Sequence, residues 1–299
     1  MGWKTKWRWL LLGFCAAFLF SCTPQSRTQS VVKVEDPYAS ENEQDFTGLV
    51  LTYFALPHGE STLVRLPGGK TMLIDTGRAE DWPVLFERLS ERKLTRLDYL
   101  VITNDQPEHI GGYPFLEKQF LVDTVILPKL IQSSIENVVP LRPSQKRIAL
   151  TTQDLPQLGD DVSMQVLLPE EPLFLSPQNN SLVFRLQHKQ LRFLFTSGIN
   201  EKAEERLLEK YGDQLKAEVL KVGDQGSNQG SSQPFLSKVD PQVAIIQTGK
   251  LRDKMKDSHT EVLERLGESW AETYITSQDG SITILSNGED YRIIKQKKQ

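Results

Sequence analysis

The segment TNDQPEHIGG, residues 103–112, has the residue types that come closest to a catalytic or metal-binding loop. It supplies Glu108 and His109, which can coordinate a metal ion, together with the neutral amides of Asn104 and Gln106, which are poor zinc ligands. An apolar, strand-like run precedes the segment and a Gly-Gly pair ends it. Because α/β proteins commonly place their chemistry in a loop between a strand and a helix, three interpretations stay open: a metal site, a former metal site, or a polar turn.

The apolar patterning of the rest of the chain predicts the elements that would position this loop. Hairpins and strand-helix-strand units alternate in two halves, which indicates two mixed sheets flanked by helices rather than one doubly wound sheet. Predicted strands are 49–55, 62–66, 71–74, 98–103, 124–127, 182–186, 191–196, 218–222, 243–247, 273–276, 281–285 and 290–294. Predicted helices are 81–93, with Asp81 as N-cap, 201–210, with Asn200 as N-cap, 233–239 and 260–266. Residues 128–160 show few strong periodicities.

The N-terminus has the pattern of an exported lipoprotein. Three basic residues precede a short apolar run that ends in LFSC, residues 19–22, which resembles a bacterial lipobox with Cys22 as the lipidated residue. The run is too short for a comfortable membrane span, and an uncleaved signal anchor is the alternative. We therefore predict a signal peptide at 1–21, a flexible polar tether at 22–46 and a domain at 47–295, exported to the bacterial cell envelope and anchored to a membrane.

Cysteine content and charge exclude several classes of function. Of the 2 cysteines, Cys15 lies in the predicted signal peptide and Cys22 would carry lipid, so the mature chain has no thiolate for metal binding or catalysis. The net charge of −4 becomes −4 − 3 = −7 when Lys4, Lys6 and Arg8 are removed. This balance argues against a nucleic-acid partner, because phosphate binding needs clustered Lys and Arg.

Five segments, occurring in order and at fitting intervals, resemble a known family. They are HGESTLVRLPGGKTMLIDTG (58–77), LDYLVITNDQPEHIGG (97–112), NNSLVFRLQHKQLRFLFTSGI (179–199), EVLKVGDQGSNQGSSQPFL (218–236) and HTEVLERL (259–266). Together they resemble the metallo-β-lactamase-fold domain found at the C-terminus of ComEC-type DNA-uptake proteins and in free-standing relatives. The resemblance covers roughly Thr47 to Asp290. It implies an α/β fold, an αββα four-layer sandwich with the active site at the loop edges between the two sheets.

The resemblance also implies which positions would hold the two metal ions of active family members. In the family's Thr-His-x-Asp-x-Asp-His-x-Gly-Gly loop, Asn104 and Gln106 replace the first His and the first Asp. The aspartate that bridges the metals is replaced by Gly198, and the first His of Lys-Val-Gly-His-His-Gly-Ser is replaced by Asp224. Neutral amides bind zinc poorly, and a glycine cannot hold two cations against their repulsion. We therefore do not expect a dinuclear hydrolase.

The second metal position keeps residues that can coordinate. Glu108 stands in place of the family's second Asp, His109 is retained, and Asp257 lies where the family has the His of a Gly-His-Pro element. These three could bind a single divalent cation weakly, with Mn²⁺, Mg²⁺ or Ca²⁺ preferred over Zn²⁺. The favoured interpretation is that no cofactor is bound and that all three are solvated loop residues.

Five further polar residues have interpretations of their own. Asp75, in a turn after a strand, is predicted to be structural and to hydrogen-bond neighbouring backbone or a ligand histidine. His58 is predicted to be a surface imidazole, and His188, in a hairpin turn, is predicted to be exposed to solvent. His259 is a weak alternative metal ligand at the start of a helix, and Ser197 has no partner that would make it a nucleophile.

Three functions follow from these residues. The favoured one is a catalytically inactive, membrane-anchored protein that binds an unidentified protein or small molecule. The alternative is a hydrolase of phosphodiesters or other esters that uses an altered single-metal site. DNA handling in natural transformation rests on the family resemblance alone and is disfavoured by the acidic charge.

Overall fold

The strands form two mixed sheets. The computed structural model describes residues 33–34, 43, 45–139, 141–159, 161–249 and 259–296. The first sheet contains β1 (Lys33–Val34), β2 (Leu49–Tyr53), β3 (Thr62–Arg65), β4 (Thr71–Ile74), β5 (Arg96–Val101), β6 (Leu121–Pro128), β7 (Lys146–Leu150), β14 (Ile282–Ser286) and β15 (Tyr291–Lys295). Their order is β1-β15-β14-β2-β3-β4-β5-β6-β7. The antiparallel strands β2, β3 and β4 meet the parallel run that starts at β4 and β5, so the sheet is mixed.

The second sheet has six strands. They are β8 (Val162–Leu168), β9 (Val183–His188), β10 (Leu191–Phe195), β11 (Val219–Lys221), β12 (Val243–Ile246) and β13 (Glu272–Ile275), in the order β13-β12-β11-β10-β9-β8. β9 and β10 form the predicted antiparallel hairpin, whereas β10, β11, β12 and β13 are parallel. The carboxyl ends of these parallel strands therefore meet at one edge, where their loops can approach the loops of the first sheet.

Helices cover the outer face of each sheet. The helices are α1 (Trp82–Glu91), α2 (Pro107–Ile110), α3 (Tyr113–Gln119), α4 (Gln132–Val138), α5 (Glu201–Tyr211), α6 (Gln233–Val239), α7 (Thr260–Glu268) and α8 (Thr276–Asp279). Leu85 and Leu89, one turn apart on α1, belong to the apolar layer on the nine-stranded sheet. Leu207 of α5 and Phe235 of α6 belong to the corresponding layer on the six-stranded sheet.

The main apolar core lies between the two sheets. Phe184 and Phe195 stack with their ring centroids 4.8 Å apart, and Tyr53 from the opposite sheet stacks on Phe195 at 6.0 Å. All three rings are nearly or fully buried. With this core and the two helix-facing layers, the predicted αββα sandwich is confirmed.

The predicted elements agree with the structure where apolar periodicity and capping chemistry coincide. α6 has the predicted bounds, and Asn200 caps α5 by accepting a hydrogen bond from the backbone N–H of Lys202. Residues 128–160, whose pattern predicted little, contain α4 and β7. Within the described ranges, no helix is long and apolar enough to cross a membrane.

Asp81 lies at the N-cap position of α1, as predicted, but its side chain accepts no hydrogen bond from a backbone N–H of that helix. Instead Asp81 is fully buried and accepts backbone hydrogen bonds from His58 at 2.9 Å, Gly59 at 2.7 Å and Arg78 at 2.9 Å. A buried carboxylate needs several donors, and these two loops supply them, so the tertiary contact outweighs the local cap.

Two parts of the predicted tether contact the nine-stranded half of the sandwich. Lys33–Val34 pairs in parallel with β15, and the carboxylate of Glu43 accepts hydrogen bonds from Arg92 Nε at 3.0 Å and Nη2 at 3.2 Å. The signal peptide, Cys22 and most of the tether lie outside the described residues, so the predicted boundaries at 22–46 and 47–295 stay predictions.

The predicted exposure of His188 is wrong. The side chain lies at the end of β9, is 2% exposed, and its Nδ1 lies 2.9 Å from Ser286 Oγ. Burial, reinforced by Lys189, lowers the pKa of His188 below its ordinary value of 6.5. The end of the β9–β10 hairpin packs against β14, so the imidazole of His188 is buried although the turn pattern predicted that it would be exposed.

The lowered pKa of His188 predicts a pH-dependent stability. In the unfolded chain the imidazole of His188 binds a proton near pH 6.5, whereas in the folded chain it does so only at lower pH. The folded state is therefore favoured by the full contribution of neutral His188 above about pH 6.5, and this contribution is lost as the pH falls. We expect His188→Asn, which cannot titrate, to lose less free energy of unfolding than the wild type between about pH 7.5 and about pH 5.5. Urea unfolding at each pH measures the free energy of unfolding of the wild type and of His188→Asn. Ser286→Ala, which keeps the imidazole, should retain the wild-type slope, and equal slopes in His188→Asn and wild type would contradict the assignment.

Candidate functional site

Asp75, at the end of β4, holds the loop that follows β5. Its Oδ1 accepts a hydrogen bond from Thr103 N at 2.9 Å. Its Oδ2 accepts hydrogen bonds from Thr103 Oγ1 at 2.7 Å and from His109 Nδ1 at 2.8 Å. Asp75 is buried and has a left-handed backbone with φ of 59°, a conformation that Asp tolerates better than most residues. The predicted structural role of Asp75, bonding backbone and the retained histidine, is confirmed.

Two glycines let the surrounding loops approach this segment closely. A Cβ at Gly59 would lie 2.4 Å from Glu108 O, and a Cβ at Gly112 would lie 2.3 Å from Thr76 O. Thr76 N in turn donates a hydrogen bond to His109 O at 2.6 Å. Because any side chain would collide with backbone at both glycines, these positions require glycine to keep the histidine in place.

Asn104 uses both ends of its amide in a closed hydrogen-bond network. Its Nδ2 donates to Ser181 Oγ at 2.9 Å and to Ser197 Oγ at 3.2 Å, and its Oδ1 accepts from Gln106 N at 2.8 Å. The orientation of the amide is fixed by Gln106 N, which can only donate. Ser197 Oγ also lies 2.6 Å from Thr103 Oγ1, which donates to the carboxylate of Asp75. Asn104 therefore turns its N–H donors, and not its oxygen, toward Ser181 and Ser197.

The position of the family's bridging aspartate lies beside this network. A Cβ at Gly198 would lie 3.3 Å from Asn104 Nδ2, 3.6 Å from Ser181 Oγ and 3.7 Å from His109 Nε2. The structure thus brings together Asn104, His109 and Gly198, as their positions in the family motifs predict. Since His109 Nδ1 is bound to Asp75, its Nε2 is the nitrogen directed to this point, where the amide N–H group of Asn104 and the hydroxyl of Ser181 are the other nearest groups.

A buried ion pair that the sequence analysis missed stands next to His109. Lys221 Nζ donates to Glu60 Oε2, and their side chains are 4% and 3% exposed. Glu60 Oε2 is also 3.6 Å from His109 Nδ1. Burial alone would lower the pKa of His109, but Asp75 and then Glu60 outweigh it, so this pKa is raised above 6.5. A lysine inside the apolar strand EVLKV was the sequence signal for a buried partner.

The other positions in the first loop use their polar atoms on other partners. Glu108 Oε2 pairs with Arg78 Nη2 at 3.5 Å in a partly exposed contact. Gln106 Nε2 donates to Asp105 Oδ1 at 2.9 Å. The pairing with Arg78 reduces the capacity of the Glu108 carboxylate to coordinate a metal ion. The amide nitrogen of Gln106 donates a hydrogen bond and cannot coordinate a metal ion.

Asp224 and Gln225 follow β11 at the same edge, both with left-handed backbone at φ of 46° and 53°. The backbone N–H of Asp224 donates to Ser197 O at 2.8 Å, which places this loop against the one that carries Gly198. Burial and then the negative charge of Glu60 raise the pKa of Asp224. Gln225 Nε2 donates to His58 O at 3.2 Å, and His58 itself is exposed, as predicted.

The buried polar centre has no room for a substrate. A cavity of about 10 Å³ is lined by polar groups that include Glu60, Asp75, Ser197, Lys221 and Gln247. This volume accommodates about one water molecule.

The candidate metal ligands do not come together in the part of the chain that the structure describes. Among the residues that the structure describes, no group of three or more His, Cys, Asp and Glu side chains could hold a metal ion. Asp257 lies outside the described residues, so the single site of Glu108, His109 and Asp257 stays a prediction. His259 is described: it is buried before α7, with its Cδ2 3.5 Å from where a Cβ of Gly226 would lie.

Comparisons with known proteins agree with this architecture. The family model described as the Metallo-beta-lactamase superfamily matches residues 57–250. ComE operon protein 3 of Bacillus subtilis (strain 168) is 27% identical over 251 residues, which are 75% of this chain and 31% of that protein. Competence protein ComA of Neisseria gonorrhoeae is 28% identical over 200 residues, which are 67% of this chain and 27% of that protein. The chain thus spans less than a third of the length of these relatives.

Solved structures of low sequence identity share the fold. The metallo-beta-lactamase fold protein YhfI from Bacillus subtilis matches with a TM-score of 0.55 and 12% identity, over 79% of this chain and 99% of that one. CmlA, a diiron beta-hydroxylase from Streptomyces venezuelae, matches with a TM-score of 0.53 and 12% identity, over 83% of this chain and 54% of that one. These likenesses establish the sandwich and nothing about the reaction.

The three hydrogen bonds to Asp75 predict that the site frame depends on its charge. Asp75→Asn keeps the shape and tolerates the left-handed backbone, but one end of the amide must face a donor. We expect the free energy of unfolding to fall by about 2–4 kcal/mol, because buried donors lose their acceptor. Urea unfolding measures the loss. The control is Asp105→Asn, which is only half-buried and should cost less than about 1 kcal/mol; equal effects at the two positions would contradict the role of Asp75.

Proposed function

The chain belongs to the metallo-beta-lactamase superfamily, and we propose that it is a membrane-anchored lipoprotein that has lost the dinuclear metal site and binds a partner without catalysis. The orientation of Asn104 is the observation that carries this proposal. Its N–H donors point to the hydroxyls beside Gly198, while its oxygen is used by the backbone of Gln106. An N–H group directed at a cation position opposes binding, because its hydrogen carries positive partial charge.

Loss of the bridging ligand supports the same proposal. Two divalent cations a few ångströms apart repel each other strongly, and Gly198 supplies no side chain to offset that repulsion. The hydroxyls of Ser181 and Ser197 take up the donors of Asn104, so this part of the frame satisfies its own hydrogen bonds without a metal. The hydrogen bonds of Asn104 are thus complete without a metal, whereas Glu60 Oε1, beside His109, is buried and has no hydrogen-bond partner among the described residues.

The anchored, exported location is proposed from the N-terminal pattern that ends at Cys22. The partner is proposed to be a protein or small molecule that binds at the loop edge between the two sheets or at another surface. A nucleic-acid partner is disfavoured by the acidic charge of the chain. The relatives are named as competence proteins, but each is more than three times as long as the part this chain matches, so their whole activities are not carried over.

Metal binding tests the loss of the site. We expect purified wild-type protein, equilibrated with Mn²⁺ or Zn²⁺ and dialysed, to retain far less than one ion per chain, and His109→Ala to retain the same amount. Elemental analysis measures the number of ions per chain. Hydrolysis of a phosphodiester substrate in the presence of an added divalent cation measures turnover. His58→Ala, an exposed histidine at the same edge, is the matched control.

Retention of one ion per chain, lost in His109→Ala but not in His58→Ala, would contradict the proposal. If that variant also lost phosphodiester turnover, the single-metal hydrolase with Glu108, His109 and Asp257 would replace the non-catalytic function.

The two cysteines give a matched test of the lipid anchor. We expect Cys22→Ala to lose incorporation of labelled fatty acid and to leave the membrane fraction, because the acyl chains are the proposed attachment. Cys15→Ala changes the predicted signal peptide only and should remain lipidated. An uncleaved signal anchor would instead keep both variants in the membrane fraction without label.

A further inference from the structure

Aromatic side chains of α1 and α3 form one cluster on the outside of the nine-stranded half. Trp82 contacts Phe86 at 5.6 Å between ring centroids, stacks on Phe115 at 6.1 Å, and meets the edge of Phe120 at 6.2 Å. Leu121 follows directly at the start of β6. These five residues are called the aromatic face below.

Three of the five residues of the aromatic face are open to solvent, whereas Trp82 is half-buried and Phe120 is buried. Phe86 is 39% exposed, Phe115 is 40% exposed and Leu121 is 68% exposed. Single exposed apolar side chains are ordinary on protein surfaces, but adjoining ones that pack on each other mark an interaction surface. Because the rings already hold one another in position, little side-chain entropy would be lost on docking.

The charges around the aromatic face give it no strong field. Arg88 pairs with Glu91 at 3.2 Å on α1, and Glu117 of α3 pairs with Arg142 at 3.2 Å. The two other charged residues on these helices, Glu87 and Lys118, are opposite in sign. An apolar surface with balanced charges favours a partner that buries apolar area, and it has no excess of positive charge that would bind a polyanion.

The membrane anchor leads to this half of the sandwich. Lys33 lies in β1, the edge strand that pairs with β15, and Glu43 pairs with Arg92 directly after α1. Lys33 is 33 − 22 = 11 residues from Cys22, so the chain between them spans at most about 40 Å. A lipid on Cys22 therefore keeps the nine-stranded half close to the bilayer and raises the local concentration of lipid at its surface.

We propose that the aromatic face docks on the lipid bilayer that holds the chain, so that the domain lies against the membrane in a defined orientation. This inference rests on the proposed lipid anchor. Trp and Phe are suited to the interfacial region because their rings bury apolar area at the level of the headgroups. Trp270, which is exposed two residues before β13 of the six-stranded sheet, is expected to stay in water.

Tryptophan fluorescence tests the docking residue by residue. Of the 5 tryptophans, two follow Cys22, namely Trp82 and Trp270. The lipidated full chain carrying Trp270→Phe is reconstituted into phosphatidylcholine vesicles with brominated acyl chains, which quench only tryptophans in the bilayer. We expect Trp82 to lose most of its emission relative to vesicles of unlabelled phosphatidylcholine. In the matched variant, Trp82→Phe, the remaining Trp270 should be unaffected.

Variants of the face separate docking from anchoring. In the Trp270→Phe background, Phe86→Ser with Phe115→Ser should abolish quenching of Trp82 while the chain still sediments with vesicles. Leu121→Ser, at the most exposed position of the face, should weaken quenching with an unchanged melting temperature. Vesicle-bound protein with equal Trp82 emission in both lipids overturns the docking and leaves the anchor standing. Protein that fails to sediment overturns the anchor and the docking with it.

Discussion

The buried carboxylate of Asp75 is the constraint on which the arrangement of the site depends. It joins β4 to the loop after β5 through the backbone and hydroxyl of Thr103, and it holds His109 by Nδ1. A buried carboxylate persists only where several donors converge on it, so this one contact fixes both the loop and the ring. Ser197 and Asn104 extend the network toward the six-stranded sheet, which couples the loop edges of the two halves.

The frame around Asp75 orients the imidazole of His109 by protein contacts alone. Because Asp75 holds Nδ1, the other ring nitrogen, Nε2, is directed toward the position of Gly198. Among its neighbours, Asn104 offers donors, Gly198 offers no side chain, and Lys221 with Glu60 forms a buried ion pair beside the ring.

The sequence predicted the sandwich well because its signals are local. Apolar periodicity and the capping amide of Asn200 are read within a few residues, and the strands and α6 follow from them. The side-chain partners of Asp81 and the burial of His188 were not predicted, because distant segments decide their environment: the loop at Gly59 in one case and Ser286, 98 residues away, in the other. Within the site, motif positions identified Asn104, His109 and Gly198. Lys221 inside an apolar run indicated a buried partner, but nothing local indicated that this partner is Glu60, 161 residues away.

We propose that this protein binds no metal ion beside His109 Nε2, and anomalous X-ray diffraction tests this directly. Crystals grown with Mn²⁺ in excess, with data collected on both sides of the manganese absorption edge, would locate any bound ion without reference to activity. We expect no anomalous peak between His109 Nε2 and Gly198. A peak at bonding distance from His109 Nε2, with carboxylate oxygens completing its shell, would contradict it.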